Sequence, residues 1–409
     1  MSIRLKATAF AITIAIAFAF QPALAQKITI KVNPKETEKP QEETTAPFTG
    51  IRPAVDVAIL LDTSNSMDGL INQAKSQLWT IIEEFQTAKK NGKTPNLRVS
   101  VFEYGNSGLP ASEGYIRQVV QLTDDLDMVS KALFALKTNG GDEYCGKVIE
   151  EALKRLDWSD DSNSYKAIFI AGNEPFTQGS VDPSDACRKA INKGIVVNTI
   201  HCGEYNAGVS GNWNLGEKVA EGSFLNINQD RAVVQIKCPQ DPVLIELNAK
   251  LNKTYLWFGD QETRLDLSSN QRAQDKNSRG LGWSSISKRV AANCSDVYSN
   301  RGRDLVDTCK SDVESGVDYF STMDSLKKEQ LPESMQKMTV DERKAHVKKL
   351  AATRAEIQEK IATLSQQRAE HEQKERAKLA EESDGETLGS AITQAVRSQL
   401  VTNGFKTGE

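Results

Sequence analysis

Val55-Asp56-Val57-Ala58-Ile59-Leu60-Leu61-Asp62-Thr63-Ser64-Asn65-Ser66-Met67 is the stretch on which the fold turns. Its first seven residues are a nearly continuous apolar run that stops at Asp62, as a strand covered on both faces should read. Leu70, Ile71, Ala74, Leu78, Ile81, Ile82 and Phe85 then recur at helical spacing. The alternation continues outward. Residues 97–102 predict a strand and 116–120 its partner or a hairpin edge. Residues 145–156 predict a helix, 167–171 a second buried strand, 184–192 a helix, and 195–200 and 224–227 two further strands. Strands separated by helices imply crossover units. Residues 54–236, inside a domain bounded at 51–238, therefore predict an α/β fold with a doubly wound, mainly parallel sheet.

In such a sheet, ligands bind in the crevice at the carboxyl ends of the strands. Asp62, Ser64 and Ser66 leave the first strand there, a carboxylate and two hydroxyls suited to a hard cation such as Mg2+. The segment from Leu60 to Met67 resembles the first motif of the von Willebrand factor A domain, whose metal-ion-dependent adhesion site begins this way. Element order and spacing extend the resemblance over residues 54–236. It implies a non-enzymatic binding module that holds Mg2+, or another divalent cation such as Mn2+ or Ca2+. The second motif corresponds to Thr138-Asn139-Gly140-Gly141-Asp142, with Asp142 as the ligand and Thr138 the competing assignment. The third motif fails: Gly172 falls where the family carries Asp, and Asn173 or Glu174 could replace it only by rearranging the loop. The plainer alternative is that Asp62 and the serines only cap the first helix.

Other chemistry finds little support. His201, His346 and His371 are scattered, and His201 ends a strand, where a hydrogen-bonded role is expected. No phosphate loop or nucleophile-base order is present, so hydrolysis is the weakest reading. The near balance of 51 basic and 55 acidic residues provides no field to recruit nucleic acid.

At 409 residues the chain exceeds one domain of about 100–200 residues. Residues 1–25 read as a signal peptide: Arg4 and Lys6, an apolar run over 7–20, and Ala23-Leu24-Ala25 at the cut. Cleavage would start the mature chain at Gln26 and move the net charge from −4 to −6, since Arg4 and Lys6 leave. No later stretch could span a membrane, so the expectation is export to the periplasm or beyond. Residues 26–50, rich in Glu, Thr, Lys and Pro, read as a flexible linker. Export would allow the six cysteines up to three bridges. Cys294 is expected to pair with Cys309, and Cys145 with Cys187 or Cys202, leaving Cys238 for the other.

Residues 239–324 predict a mixed, mostly helical region. It has a helix from 240, a turn at Asn252-Lys253, a short aromatic strand over 255–258, a polar loop over 259–280, and helices over 286–323. Residues 325–382 predict a long charged helix opened by the capping box Thr339-Val340-Asp341-Glu342. Val347, Leu350, Ile357, Ile361 and Leu364 form a heptad-like seam that Arg354, Arg368 and His371 interrupt, consistent with a helix packed on its own domain, a coiled coil for self-association, or a solvated helix. Asp384-Gly385 ends it, and the tail 383–409 carries a weakly amphipathic helix and a loose end. The sequence thus favours an exported protein-binding module engaging an Asp or Glu of a partner through its cation site. The rival is a metal-free scaffold of the cell envelope acting through its C-terminal helix.

Overall fold

The strand that ends at Asp62, β1 (Ala54–Asp62), lies in the middle of a six-stranded sheet and is buried along all but its first residue. The computed structural model describes residues 52–231, 233–379 and 387–407, so the expected leader and linker, 1–25 and 26–50, fall outside the described residues. Helix α1 (Asp68–Thr87) follows, then β2 (Asn96–Tyr104), β3 (Arg117–Thr123) and the unforeseen α2 (Leu126–Ala135). Next come α3 (Cys145–Arg155), β4 (Tyr165–Gly172), α4 (Pro183–Ile191), β5 (Val196–Cys202), two short helices α5 (Tyr205–Ser210) and α6 (Leu215–Ala220), and β6 (Phe224–Ile227). The order across the sheet is β3-β2-β1-β4-β5-β6. Every pairing is parallel except that of β3 with β2.

Alternate residues of β1 feed two cores. Val55, Val57, Ile59 and Leu61 face the layer containing α1 and α2, whereas Ala58 and Leu60 face α3 and α4. The remaining helices are α7 (Asp241–Leu251), α8 (Gln261–Leu281), α9 (Trp283–Asn293), α10 (Leu305–Glu314), α11 (Ser321–Ser325), α12 (Val340–Leu379) and α13 (Leu388–Thr402). Side chains of α7, α9 and α13 enter the first core.

Several sequence expectations change here. Residues 259–280 are not a loop: α8 occupies them, capped by Asp260 accepting from the Thr263 amide at 2.7 Å. Its buried residues, Gln271, Gln274 and Ser278, are polar, so apolar periodicity could not reveal it. Two of them meet polar partners: Trp79 Nε1 donates to Ser278 at 3.1 Å and Ser130 to Gln274 at 2.9 Å, while Gln271 Nε2 stays unpartnered. The aromatic segment 255–258 forms only an isolated bridge between Trp257 and Asp304. All six cysteines are free thiols, so the expected bridges are absent: Cys294 packs on the first core while Cys309 sits in a third cluster with Leu305 and Met335.

The arginines that seemed to break the α12 seam are its anchors. Arg354 Nη1 donates to Asp304 at 2.7 Å and Asp307 at 2.5 Å, its other nitrogens reach Thr254, and its Cζ lies 4.2 Å from the centre of the Tyr255 ring. Arg368 binds Asp241 at 2.8 Å and also Glu372. Val347, Ile357 and Ile361 are buried in the chain's own clusters, so the seam is not left for a coiled coil with a second copy. The tail has no loose end as far as it is described. Helix α13 buries Leu388, Ile392, Val396 and Leu400, and Lys406 exchanges two 2.7 Å backbone hydrogen bonds with Lys89. Among the described residues, no helix is long and apolar enough to cross a membrane.

Removing one member of a buried ion pair strands the other. Arg354→Leu should therefore lower unfolding stability by about 3–5 kcal/mol in a urea titration. Burial alone would raise the Glu372 carboxyl, but Lys288, Arg368 and Arg376 outweigh it and bring it down to about 2. A depressed folded value stabilises above the ordinary carboxyl range near about 4.3 and is lost as pH falls through about 2. Glu372→Gln should flatten the acid limb of the stability curve in that window.

Candidate functional site

The carboxyl ends of β1, β2 and β4 meet in one crevice. Asp62 pairs in register with Tyr104, and Leu61 with Ala171 just before Gly172. Asp62 is fully buried, and its Oδ1 accepts the Ser64 amide at 2.7 Å. Its Oδ2 has no well-aligned hydrogen bond, the Asn173 amide only drawing near. The Ser64 and Ser66 hydroxyls stand 3.4 Å apart, and Asn173 Nδ2 donates to Ser66 at 3.2 Å while Asn173 Oδ1 is left buried and unpartnered.

The loop before α3 contributes differently from the sequence expectation. Thr138 donates to Asp68 at 2.5 Å, and Asp142 is exposed, accepting from the Tyr144 hydroxyl at 3.1 Å. Glu143 is the acid that turns inward: it is buried, and its amide donates to Gln178 Oε1 at 2.7 Å. Gly141 admits backbone, since a Cβ there would lie 2.7 Å from both Gly105 O and Ser107 N.

Unbalanced charge dominates the crevice. Burial, with the nearby Glu174 charge, pushes Asp62 up to about 7 against the lowering hydrogen bonds from Ser64. Glu143 rises to about 8 through burial and the charges of Asp62 and Glu174, with the Ser64 hydroxyl opposing. Among the described residues no three His, Cys, Asp or Glu side chains are arranged to hold a metal by themselves. A cation here would have to draw on serine hydroxyls. Asp62, Ser64 and Ser66 fit that requirement as hard oxygen donors, and Oδ2, with no well-aligned hydrogen bond, is an acceptor left over for it.

Gly172 cannot carry the missing acid as the crevice stands. A Cβ there would lie 2.5 Å from Tyr104 Oη and 3.1 Å from Asp62 Oδ2. The Tyr104 hydroxyl, donating to Ala171 O at 2.9 Å, occupies the space. His201 is tied to Asn226 at 2.9 Å. Sequence reasoning missed Tyr104 and Glu143. The only signal for Glu143 was its place beside Asp142, and periodicity in a loop does not say which of two adjacent acids faces in.

A crevice lined by hydroxyls and carboxylates thus lies at the carboxyl ends of a doubly wound sheet. Residues 56–215 match the von Willebrand factor type A domain, and the chain carries a domain of that family there. Similar solved structures include the VWA domain of SpRpn10, with 15% identity and a TM-score of 0.34 over 44% of this chain and 90% of that one. Proximal thread matrix protein 1 from the mussel byssus, in a form with a zinc-occupied MIDAS motif, has 17% identity and a TM-score of 0.33 over 44% of this chain and 43% of that one. The pilus adhesin SpaC from Lactobacillus rhamnosus GG has 14% identity and a TM-score of 0.33 over 44% of this chain and 28% of that one. No curated protein matches the chain.

Restoring the family acid should clash before it helps. Gly172→Asp is expected to lose about 1–3 kcal/mol of stability as an overpacking change. Combined with Tyr104→Phe, which removes the obstructing hydroxyl, it should lose less than the two single variants summed, a coupling that denaturant titrations of all four proteins would read.

Proposed function

We propose that the domain is a non-catalytic protein-interaction module that holds a divalent cation, Mg2+ or else Mn2+ or Ca2+, on Asp62, Ser64 and Ser66. A cation there supplies an electrophilic point for an Asp or Glu side chain of a partner protein. The observation that carries this reading is the buried Asp62 carboxylate with one oxygen unpartnered, next to two hydroxyls. Asp62 orients the Ser64 turn through its amide, and Asn173 holds Ser66 in place. Thr138 and Asp142 join only by leaving Asp68 and Tyr144. The N-terminal Arg4, Lys6 and apolar run support export to the periplasm or the cell exterior, where such a module would meet its partner.

Mg2+ or Mn2+ should raise the melting temperature of the chain and leave that of Asp62→Ala unchanged. An equal response in both, or in neither, would remove the cation from the function. A second reading has its own observation: Tyr104 filling the place of the family acid beside Gly172 favours a metal-free scaffold. Under it, partner capture survives Asp62→Ala and no cation shifts the melting curve.

A further inference from the structure

The crevice holds a carboxylate that the family pattern does not assign. A Cβ built on Gly105 would meet Glu143 Cγ at 2.7 Å and Asp62 Oδ1 at 2.8 Å, so both acids crowd the same point. Gly105, at φ 76°, leaves that point free by having no side chain. Glu143 is 5% exposed and its backbone is pinned by Gln178, whereas the adjacent Asp142 lies in solvent on Tyr144. Asp62, wholly buried with Oδ2 unpartnered, is the independent sign that a positive ligand belongs among these groups.

We propose that Glu143, and not Asp142, is the second carboxylate of the cation site, standing in for the acid that Gly172 lacks. This rests on the cation reading above. The physical case is charge. Two serines are neutral, so Asp62 alone leaves a divalent ion half compensated, and a second buried carboxylate beside it costs less once the ion is shared. With Asp62 and Glu143 both engaged, the ion is neutralised within the chain. A partner's carboxylate then has to compete with Glu143, and the loop before α3 controls how readily the site accepts one.

Calorimetric titration of the full chain with Mn2+ separates the possibilities. Glu143→Gln, which keeps the side-chain shape, should weaken Mn2+ by at least the roughly 10-fold typical of losing even an outer metal partner, while Asp142→Ala leaves affinity unchanged and Asp62→Ala abolishes binding. The metal-free Glu143→Gln protein should melt no lower than the parent, because the amide of the same shape is neutral beside Asp62; a merely structural role for Glu143 would lower both. In Glu143→Ala, water-proton relaxation by bound Mn2+ should rise as water replaces the carboxylate. Unchanged affinity in Glu143→Gln with binding lost in Asp62→Ala overturns the assignment and leaves the cation reading standing. Weakening by Asp142→Ala alone also overturns it, in favour of the neighbouring acid. Failure of the parent chain to bind Mn2+ overturns both.

Discussion

A strand with apolar side chains on both faces, set in the middle of a sheet, must be covered twice, and β1 imposes that constraint on everything else. Its alternate residues enter two separate cores, and neither can be left open to water without exposing Val57, Ile59 and Leu61 on one side or Ala58 and Leu60 on the other. One face is closed by α3, α4 and α6 from the same stretch of chain. The other needs α1 together with α13, which arrives from nearly the end of the sequence. The same constraint places Asp62. A strand buried to its last residue delivers its terminal carboxylate into the crevice with little access to water, and the shifted acidity of Asp62 follows from that burial.

The helices beyond the sheet are joined to it in good part by buried ion pairs. Arg289 reaches Asp127 of α2 and Asp275 of α8, Arg354 reaches Asp304 and Asp307, and Arg368 reaches Asp241. Such pairs contribute little net stability over apolar packing, yet each is costly to break on one side only. They therefore act chiefly as registers: α12, with its sparse apolar seam, can settle in one alignment, the one that places both arginines on their acids.

At the crevice the departures from the family pattern belong together. Tyr104 fills the space beside Gly172, so the end of β4 offers no acid, while Glu143 brings one in from the loop before α3.

The run from Val55 to Ser66 determined by itself that a doubly wound sheet would form and where its crevice would lie, because burial on both faces leaves an unbroken apolar signature and Asp-x-Ser-x-Ser follows it directly. The helix over 340–379 was likewise legible from its capping box, Thr339 to Glu342. Helix α8 was not, since its buried residues Gln271, Gln274 and Ser278 are polar, and the Ser130 and Trp79 that meet Gln274 and Ser278 lie far along the chain. Nor could the sequence say that Arg354 and Arg368 point inward, that Cys294 and Cys309 lie in different clusters, or that Glu143 instead of Asp142 faces Asp62. Periodicity reports how often a side chain faces the core. Which polar group finds a partner there depends on residues tens to hundreds of positions away, and only the tertiary structure brings them together.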